Sequence, residues 1–362
     1  MQVLYERCAG LDVPQKTVVA TILLTEPTGR VTKLTKPCST MTQELLALEE
    51  WLASYQVEQV AIESTGVYWY PLYNVLEADH TIILVNPQHM KAVPGRKTDV
   101  KDSEWLADLL RHGLLKASFI PPQPIRQVRE RTRYRKTLIQ QRTQEANRLQ
   151  KILESANLKL AAVVSDVLGV SSRRMLKALM AGERDTAVLA QLAYGTMRRR
   201  IPQLQQALSG RLQPHHVFLL RQILAPVDFL DASIEHVHQE IEARLQPYAE
   251  AWHLLQTIPG INATAAAAIS AEIGVDLSRF PSAKHLASWA GICPGNKQSG
   301  GKRFQAGIRP GNRWLRAMVG EVVWAITHTK DNYLRAQYQR IARRRGALRA
   351  AVAVAHTVLS II

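Results

Sequence analysis

Short apolar runs and longer helical stretches alternate along the first 118 residues of the chain. Apolar runs at 5–13, 16–25 and 31–35 are separated by turn residues, which predicts a meander of three strands. Residues 41–55 have helical spacing instead, and five of them are expected on one side of a helix: Leu45, Leu46, Leu48, Trp51 and Leu52.

The alternation continues beyond this first helix. Residues 57–65 predict a strand that ends on a glutamate, 70–79 a helix, 80–87 a strand, and 99–113 a helix closed by glycine. Three strands followed by helix, strand, helix, strand and helix make one compact α/β domain, to which we assign residues 1–118.

A different pattern begins after the proline-rich segment "IPPQPI". Residues 125–160 contain neither Gly nor Pro, which predicts one long helix. Arg135 and Arg142 interrupt the first half of its heptad seam, and buried arginines weaken an apolar helix interface. A coiled coil between chains and a polyanion-binding face both remain open for this helix. The seam consists of Val128, Thr132, Arg135, Ile139, Arg142, Ala146, Leu149, Leu153 and Ala156.

Glycine and proline divide the remainder of the chain into further predicted helices. We treat residues 119–245 as a helical, coiled-coil linker and oligomerisation region. Residues 246–362 form a third, all-helical region with a loop-rich insert between Gly291 and Asn312. The apolar run at 351–362 has no stop signal, so the natural protein is expected to continue beyond Ile362.

Charge changes this picture more than overall composition does. The chain has 46 Lys and Arg against 30 Asp and Glu, a net charge of +16, which predicts a polyanionic partner. Nucleic acid is favoured over a membrane because no long apolar span occurs, although a merely basic soluble protein has the same balance. Three scattered cysteines and the absence of a signal peptide predict a reducing cytoplasm and no structural zinc.

Four acidic residues fall where the predicted elements of the α/β domain converge. Asp12 ends the first strand and Glu63 the fourth, while Asp99 and Asp102 lie on the inward face of the last helix. Either aspartate alone also suits an ordinary helix start. Four acids on one rim would repel one another unless cations neutralise them, and all-oxygen ligands suit Mg²⁺ or Mn²⁺. The pattern therefore predicts a divalent-metal site for phosphoryl transfer.

Two motifs in the third region concern DNA. "LLQTIPGINATAAAAISAEIG" has the layout of a helix-hairpin-helix, in which Gly260 would let a phosphate approach backbone N–H groups; an ordinary helical hairpin has the same layout. "NKQSGGKR" places Ser299 between glycines and cations, and Lys297, Lys302 and Arg303 could stabilise charge on a phosphate. On its own, a Ser-Gly-Gly string is more typical of a flexible loop.

The segments "GLDV", "IESTGVYWYPL" and "VNPQHMKAVPGRKTDVKDSEWLADLL" resemble a known family. They are similar to the RuvC-like, RNase H-fold domain of the DEDD insertion-sequence transposases, the bridge-RNA-guided recombinases. The resemblance maps that family's four acids onto Asp12, Glu63, Asp99 and Asp102. The segment 280–319 is similar to the C-terminal transposase domain of the same family.

The resemblance implies that Ser299 attacks a DNA phosphodiester and forms a phosphoserine. One departure concerns the Ser/Thr–Lys pair that often precedes Gly-Asn in the family, since "GIRPGN" has Arg309 there. The implied partners are donor and target DNA, a structured guide RNA and further copies of the chain, as a dimer or tetramer. Nucleic-acid contacts are expected at Arg309, Arg313 and four arginines of the long helix: Arg129, Arg133, Arg135 and Arg142.

Two other functions fit the same residues. One is a metal-dependent Holliday-junction resolvase or nuclease with water as nucleophile, in which Ser299 is only a loop residue. The other is a non-catalytic nucleic-acid-binding protein whose acids merely cap helices.

Overall fold

The computed structural model describes residues 2–63, 66–86, 99–294, 297–299, 302–304, 307–308 and 310–362, without the side chains of 99–101, 297–299 and 302–304. The chain divides into two compact units, Met1–Ile120 and Pro121–Ile362.

A five-stranded mixed sheet forms the centre of the N-terminal unit, in the order β3-β2-β1-β4-β5. The first three strands are antiparallel, whereas β1, β4 and β5 run parallel. All five predicted strands are present, and this mixed sheet fits the RNase H-like fold expected from the resemblance. The strands are β1 (Arg7–Asp12), β2 (Thr17–Thr25), β3 (Val31–Ser39), β4 (Gln59–Glu63) and β5 (Thr81–Val85).

The helices cover the two faces of this sheet. One face packs against α1 (Thr42–Ser54) and α2 (Trp69–Leu76), and the other against α3 (Asp99–Arg111). On α1, Leu45, Leu48 and Leu52 are buried, but Leu46 is 48% exposed, so its predicted place on the buried side is wrong. The reason is angular: Leu46 lies about 100° around the helix from Leu45, outside the narrow stripe that meets the sheet.

The C-terminal unit is almost entirely helical. Its helices are α4 (Gln123–Ser155), α5 (Leu160–Val163), α6 (Val170–Ala181), α7 (Thr186–Gln191), α8 (Ile201–Leu208), α9 (Pro214–Leu245), α10 (Ala249–Gln256), α11 (Ala263–Ile273), α12 (Ala283–Trp289), α13 (Arg313–His328), α14 (Tyr333–Arg345) and α15 (Ala347–Ile361). Two 3₁₀ turns, Gly195–Arg200 and Gln246–Tyr248, precede α8 and α10. The division predicted at residue 245 coincides with the end of α9 and stays a prediction.

The two longest helices, α4 and α9, pack against each other within the chain. Arg142 of α4 pairs with Asp231 of α9, and Arg131 lies 4.0 Å from Glu240, so the helices run antiparallel. One apolar core, which includes Leu149 and Leu153, surrounds the C-terminal end of α4, and a second, which includes Val128, surrounds its N-terminal end. The long helix is therefore present as predicted, while a coiled coil between chains stays a prediction.

The insert between Gly291 and Asn312 is more ordered than a loop. Strands β6 (Lys297–Ser299) and β7 (Lys302–Phe304) form a two-stranded antiparallel ribbon, extended by a bridge between Pro294 and Ile308. The expectation of an all-helical third region is corrected at this point. Within the described residues, no helix has the length and apolar character needed to cross a membrane.

Candidate active site

The strand register sets two of the predicted acids side by side. Leu11 of β1 pairs with Ile62 of β4 in parallel register, so the next residues, Asp12 and Glu63, end neighbouring strands at the same edge of the sheet. Parallel neighbours lie about 4.8 Å apart. Side chains alternate along a strand, and Leu11 belongs to the core under α1 and α2. Asp12 and Glu63 therefore belong to the opposite face, the one that α3 covers.

Gly10 determines how closely α3 approaches this face. A Cβ atom at Gly10 would collide with the backbone of α3, at the Ser103 carbonyl oxygen and the Ala107 amide nitrogen. The buried Ser103 hydroxyl also lies 2.8 Å from the Thr21 hydroxyl on β2. Cys8, further back on β1, contacts Ala107 through a sulfur–carbonyl distance of 3.5 Å. The helix therefore runs antiparallel to β1, with its N-terminus towards the end of the strand.

This direction carries the remaining acids towards Asp12. From Gly10 to Asp12 the strand advances about 6.6 Å, and from Ser103 back to Asp99 the helix advances about 6 Å in the same direction. Asp102 is half-buried and precedes the buried Leu106 by one helical turn. The backbone of Asp99 begins α3, and its side chain lies outside the described residues. Three acids thus belong to one end of the sheet, and the fourth follows from the helix direction.

The geometry does not by itself amount to a metal site. Among the described side chains, no three of His, Cys, Asp or Glu lie close enough together to hold a metal ion. Both Asp12 and Glu63 already have protein contacts. Their chemistry fits Mg²⁺ or Mn²⁺, because every candidate ligand is a carboxylate oxygen on a structurally fixed strand or helix. The four-acid cage stays a prediction.

In the C-terminal unit, Ser299 is the last residue of β6 and pairs in register with Lys302, the first residue of β7. Gly300 and Gly301, which separate them in the sequence, lie outside the described residues, as does Arg309. Near the base of the ribbon, Gly311 lies against the backbone of Ala290 and Gly291 so closely that a Cβ atom would not fit. The serine-bearing segment is thus held at its base by backbone packing.

Asn312, the residue that follows Gly311, belongs to a buried cluster of charged and polar side chains. Glu272, on α11, has only 3% of its side chain exposed. Its carboxylate accepts two hydrogen bonds of 2.8 Å from Arg133 and one of 2.6 Å from Asn312. Asn312 also caps α13, because its Oδ1 accepts from the backbone N–H of Trp314 and Leu315. Glu272 therefore ties α4, α11 and the start of α13 together.

The four arginines of α4 that were expected to contact nucleic acid have other surroundings. Arg129 donates to the backbone oxygens of Ala271 and Glu272, and Arg142 pairs with Asp231. Arg135 is half-buried, and burial lowers the pKa of its guanidinium, an effect that the charge of Glu235 partly opposes. With Arg133 on Glu272, three of the four arginines have partners within the unit, and their contact with nucleic acid stays a prediction. Arg313 differs, being exposed at the start of α13 beside the Trp314 ring.

Gly260 also has a packing role that the sequence did not indicate. It adopts φ +85°, and a Cβ atom there would lie 2.6 Å from Ile326 Cγ1 and 2.8 Å from the Val322 carbonyl oxygen of α13. Close helix packing therefore explains this glycine without any phosphate. Helices α10 and α11 do form a hairpin, with Asn262 accepting from the Ala265 N–H. Phosphate binding at Gly260 stays a prediction.

Two sequence profiles match the chain on these same segments. A DEDD transposase profile matches residues 9–158, and a profile described as the transposase IS116/IS110/IS902 family matches residues 252–339. The first match includes Asp12, Glu63 and α3, and the second includes the β6–β7 ribbon that carries Ser299. These two matches place the chain among the transposases of insertion sequences. Within that class, the chain belongs to the IS116/IS110/IS902 family.

The chain is also similar to individual proteins along different shares of its length. A probable family 20 transposase of Pseudomonas aeruginosa is 26% identical over 304 residues, which cover 82% of this chain and 80% of the relative. An insertion element IS110 protein of Streptomyces coelicolor is 36% identical over 97 residues, 25% of this chain and 24% of that one. A Thermus thermophilus RuvC structure aligns with 31% of this chain and 99% of its own at 14% identity and a TM-score of 0.25. A second one, in complex with Holliday junction substrate, has a TM-score of 0.23 at 16% identity.

Several residues that shape the site were not singled out from the sequence. Gly10 lies inside the first predicted strand, residues 5–13, and a glycine in a strand can signal close backbone approach. Glu272 lies in the apolar helix "ATAAAAISAEI", where a lone acid is the only local sign of a buried partner. The pairing of Glu272 with Arg133 and Asn312 has no local sequence signal at all.

Proposed function

We propose that this transposase cuts and rejoins DNA through a phosphoserine intermediate, with Asp12, Glu63, Asp99 and Asp102 holding divalent ions beside the scissile phosphate. The observation that carries the proposal is the antiparallel packing of α3 on β1, because it directs the start of α3 to the sheet edge where Asp12 and Glu63 end their strands. A merely structural set of acids would have no reason to share one face and one edge of the sheet.

The carboxylates would contribute by holding cations where DNA carries negative charge. Bound Mg²⁺ or Mn²⁺ would supply Lewis-acid stabilisation of the phosphoryl group and of the leaving oxygen. The strand register sets the backbone positions of Asp12 and Glu63. The backbone position of Asp102 is set by α3, which packs closely on β1 because Gly10 has no Cβ atom. Because these groups are positioned by secondary structure, little reorganisation is needed when substrate binds.

Ser299 would be the nucleophile. Its oxygen forms a bond to phosphorus, the bond between phosphorus and the leaving deoxyribose oxygen breaks, the serine proton passes to a base, and the leaving oxygen takes up a proton. The phosphoserine retains a phosphodiester, so the hydroxyl of another strand can displace the serine without a high-energy cofactor. Lys302, opposite Ser299 in the ribbon, and Lys297 and Arg303 are the cations proposed to stabilise the phosphate.

The remaining parts of the proposal concern partners. Donor and target DNA would be recognised by a structured guide RNA through base pairing, with the protein reading backbone and shape. The helical hairpin at Gly260 and the exposed Arg313 are the proposed backbone contacts. Carboxylates of one protomer would act with Ser299 of another in a dimer or tetramer. This arrangement is part of the proposal and rests on the family resemblance.

Covalent capture of DNA tests the proposal directly. The protein is purified with its RNA, incubated with Mg²⁺ and labelled donor and target DNA, and analysed for protein–DNA adducts that survive denaturation. Ser299→Ala should abolish the adduct and strand exchange. Glu63→Gln and Asp102→Asn should abolish divalent-dependent cleavage while DNA binding persists, because they remove charge with little change in shape.

Two matched variants serve as controls. Ser282→Ala removes an exposed serine whose hydroxyl lies 2.9 Å from His285 Nδ1, and Asp108→Asn removes an acid on α3 that pairs with Arg111 at 2.7 Å. Both should leave adduct formation unchanged. Cleavage by Ser299→Ala without an adduct would favour a nuclease that uses water, and normal recombination by Glu63→Gln and Asp102→Asn would refute the metal site.

A further inference from the structure

The last 31 residues of the chain carry charge of one sign only. Residues 332–362 contain six arginines and neither Asp nor Glu. The family match ends at residue 339, so most of these arginines lie beyond it. Five of the six side chains are exposed: Arg340, Arg343, Arg344, Arg345 and Arg349.

Three of these side chains converge on one shallow concavity. Arg340, Arg343 and Arg344 line it together with Ala336 and Gln339, and we call these three residues the α14 arginine surface. They are spaced i, i+3 and i+4, so they share a face of the helix, where like charges destabilise it. Across the described part of the chain, no acidic side chain forms an ion pair with any of the three. An anion bound in the concavity would remove this repulsion.

The contrast with α4 makes the arrangement informative. On α4, Arg133 and Arg142 are each matched by a carboxylate of the same chain. A positive side chain in the last turn of a helix also suits the helix dipole, which accounts for Arg343 and Arg344 singly. It does not account for Arg340, a turn earlier, or for the convergence of three guanidinium groups on one concavity.

We propose that the α14 arginine surface binds the phosphodiester backbone of duplex DNA. Guanidinium groups bind phosphate oxygens through paired N–H donors, which positions a duplex without reading its sequence. The lining contains no aromatic side chain on which an unpaired base could stack, so a duplex is favoured over a single strand. This inference rests on the proposed function, since it assigns a backbone contact to the same DNA substrate.

Equilibrium binding without chemistry tests it. The full-length triple variant Arg340→Gln, Arg343→Gln, Arg344→Gln is titrated with a labelled 30-base-pair duplex of arbitrary sequence, in EDTA, at several salt concentrations. Affinity should fall about tenfold, and the slope of log affinity against log salt should become less steep by about 2.7, since three phosphate contacts are lost. Replacement of the same residues by lysine should retain most of the slope.

A dispersed variant of equal charge provides the control. Lys151, Lys177 and Arg211 are exposed and belong to α4, α6 and the segment after α8, so their replacement by glutamine removes three charges without a shared surface. This control should change affinity less than about twofold. Equal losses in both variants would overturn the proposal, as would a loss seen only with duplex RNA of the same length. Because EDTA excludes cleavage, failure here is distinguishable from failure of the proposed metal and serine chemistry.

Discussion

Arg133 and Glu272 form a two-point ion pair inside the C-terminal unit, with Nε–Oε1 and Nη2–Oε2 distances of 2.8 Å. The residues are 139 positions apart in the chain. Asn312, which follows the serine ribbon, donates to the same carboxylate. The pair therefore joins the long helix α4 to the base of the segment that carries Ser299.

Removal of this charge should be costly. Glu272→Gln leaves Arg133, whose side chain is 28% exposed, without its carboxylate partner, so we expect the unit to lose about 1–3 kcal/mol of stability. Hydrogen–deuterium exchange of α11 in the full-length protein measures the loss as faster exchange of its amides. Glu321→Gln, which breaks a largely exposed pair with Lys136, is the control and should cost less than about 1 kcal/mol. Equal effects of the two variants would contradict the anchoring role of Glu272.

A methyl group at residue 10 should separate α3 from the sheet. In Gly10→Ala, the added Cβ meets the α3 backbone at Ser103 and Ala107, and overpacking of this kind costs about 1–3 kcal/mol or more. Because α3 carries Asp99 and Asp102, divalent-dependent DNA cleavage should fall more than DNA binding does. Denaturant unfolding and a cleavage assay measure the two effects.

Gly320→Ala is the matched control for that substitution. A Cβ atom at Gly320 meets nothing within 4 Å, and this residue lies inside α13. Alanine there should stabilise the helix by about 0.5–1 kcal/mol and leave cleavage unchanged. Full cleavage activity in Gly10→Ala would show that the acids do not depend on the close contact between α3 and β1.

The cysteines should differ sharply in reactivity. Burial raises the pKa of the Cys8 thiol to about 12, more than the nearby Arg111 lowers it, and burial also raises the pKa of Cys38. Cys293 is only half-buried. Iodoacetamide at pH 8 should therefore label Cys293 in the native protein, while Cys8 reacts roughly a thousandfold more slowly than an exposed thiol. Mass spectrometry of the digested protein shows which of the three cysteines carry the label.

Unfolding in guanidinium provides the control, since all three thiols should then react.

The raised pKa of the Cys8 thiol also has a consequence for stability. Cys8 stays protonated in the folded state while the unfolded thiol ionises above about pH 8.5, so its contribution is complete below that pH and declines as the pH rises towards 12. Rapid native-state labelling of Cys8 would contradict its burial under α3.

The N-terminal unit was largely predictable because each of its elements has a local pattern. The apolar runs of β1 to β5 and the spacing of α1 are visible within a dozen residues, and even the edge at which Asp12 and Glu63 meet follows from strand order. The error at Leu46 arose because apolar character does not reveal how wide a buried stripe is. The close packing of α3 on β1, on which the proposed site depends, requires the absence of a Cβ atom at Gly10.

The C-terminal unit was less predictable because its decisive contacts are distant in sequence. The arginines of α4 were interpreted as nucleic-acid contacts, yet Arg142 pairs with a residue 89 positions away and Arg133 with one 139 away. The ribbon escaped prediction because its strands have three residues each, too few for an alternating pattern. The packing of Gly260 against Val322 and Ile326 also has no local sequence signal, and phosphate binding there stays a prediction.

The antiparallel pair of α4 and α9 is a rigid connection between the two apolar cores of the C-terminal unit, one at each end of α4. At about 1.5 Å per residue, the 33 residues of α4 fix a span of roughly 50 Å that neither core can shorten. One inserted residue in each helix would swivel the far core by about 100°, whereas seven would displace it by about 10 Å with nearly unchanged orientation. The number of residues in α4 and α9 therefore sets both the distance and the angle between the two cores. Insertions or deletions in these helices should preserve the orientation of the cores only when they come in steps of about seven residues.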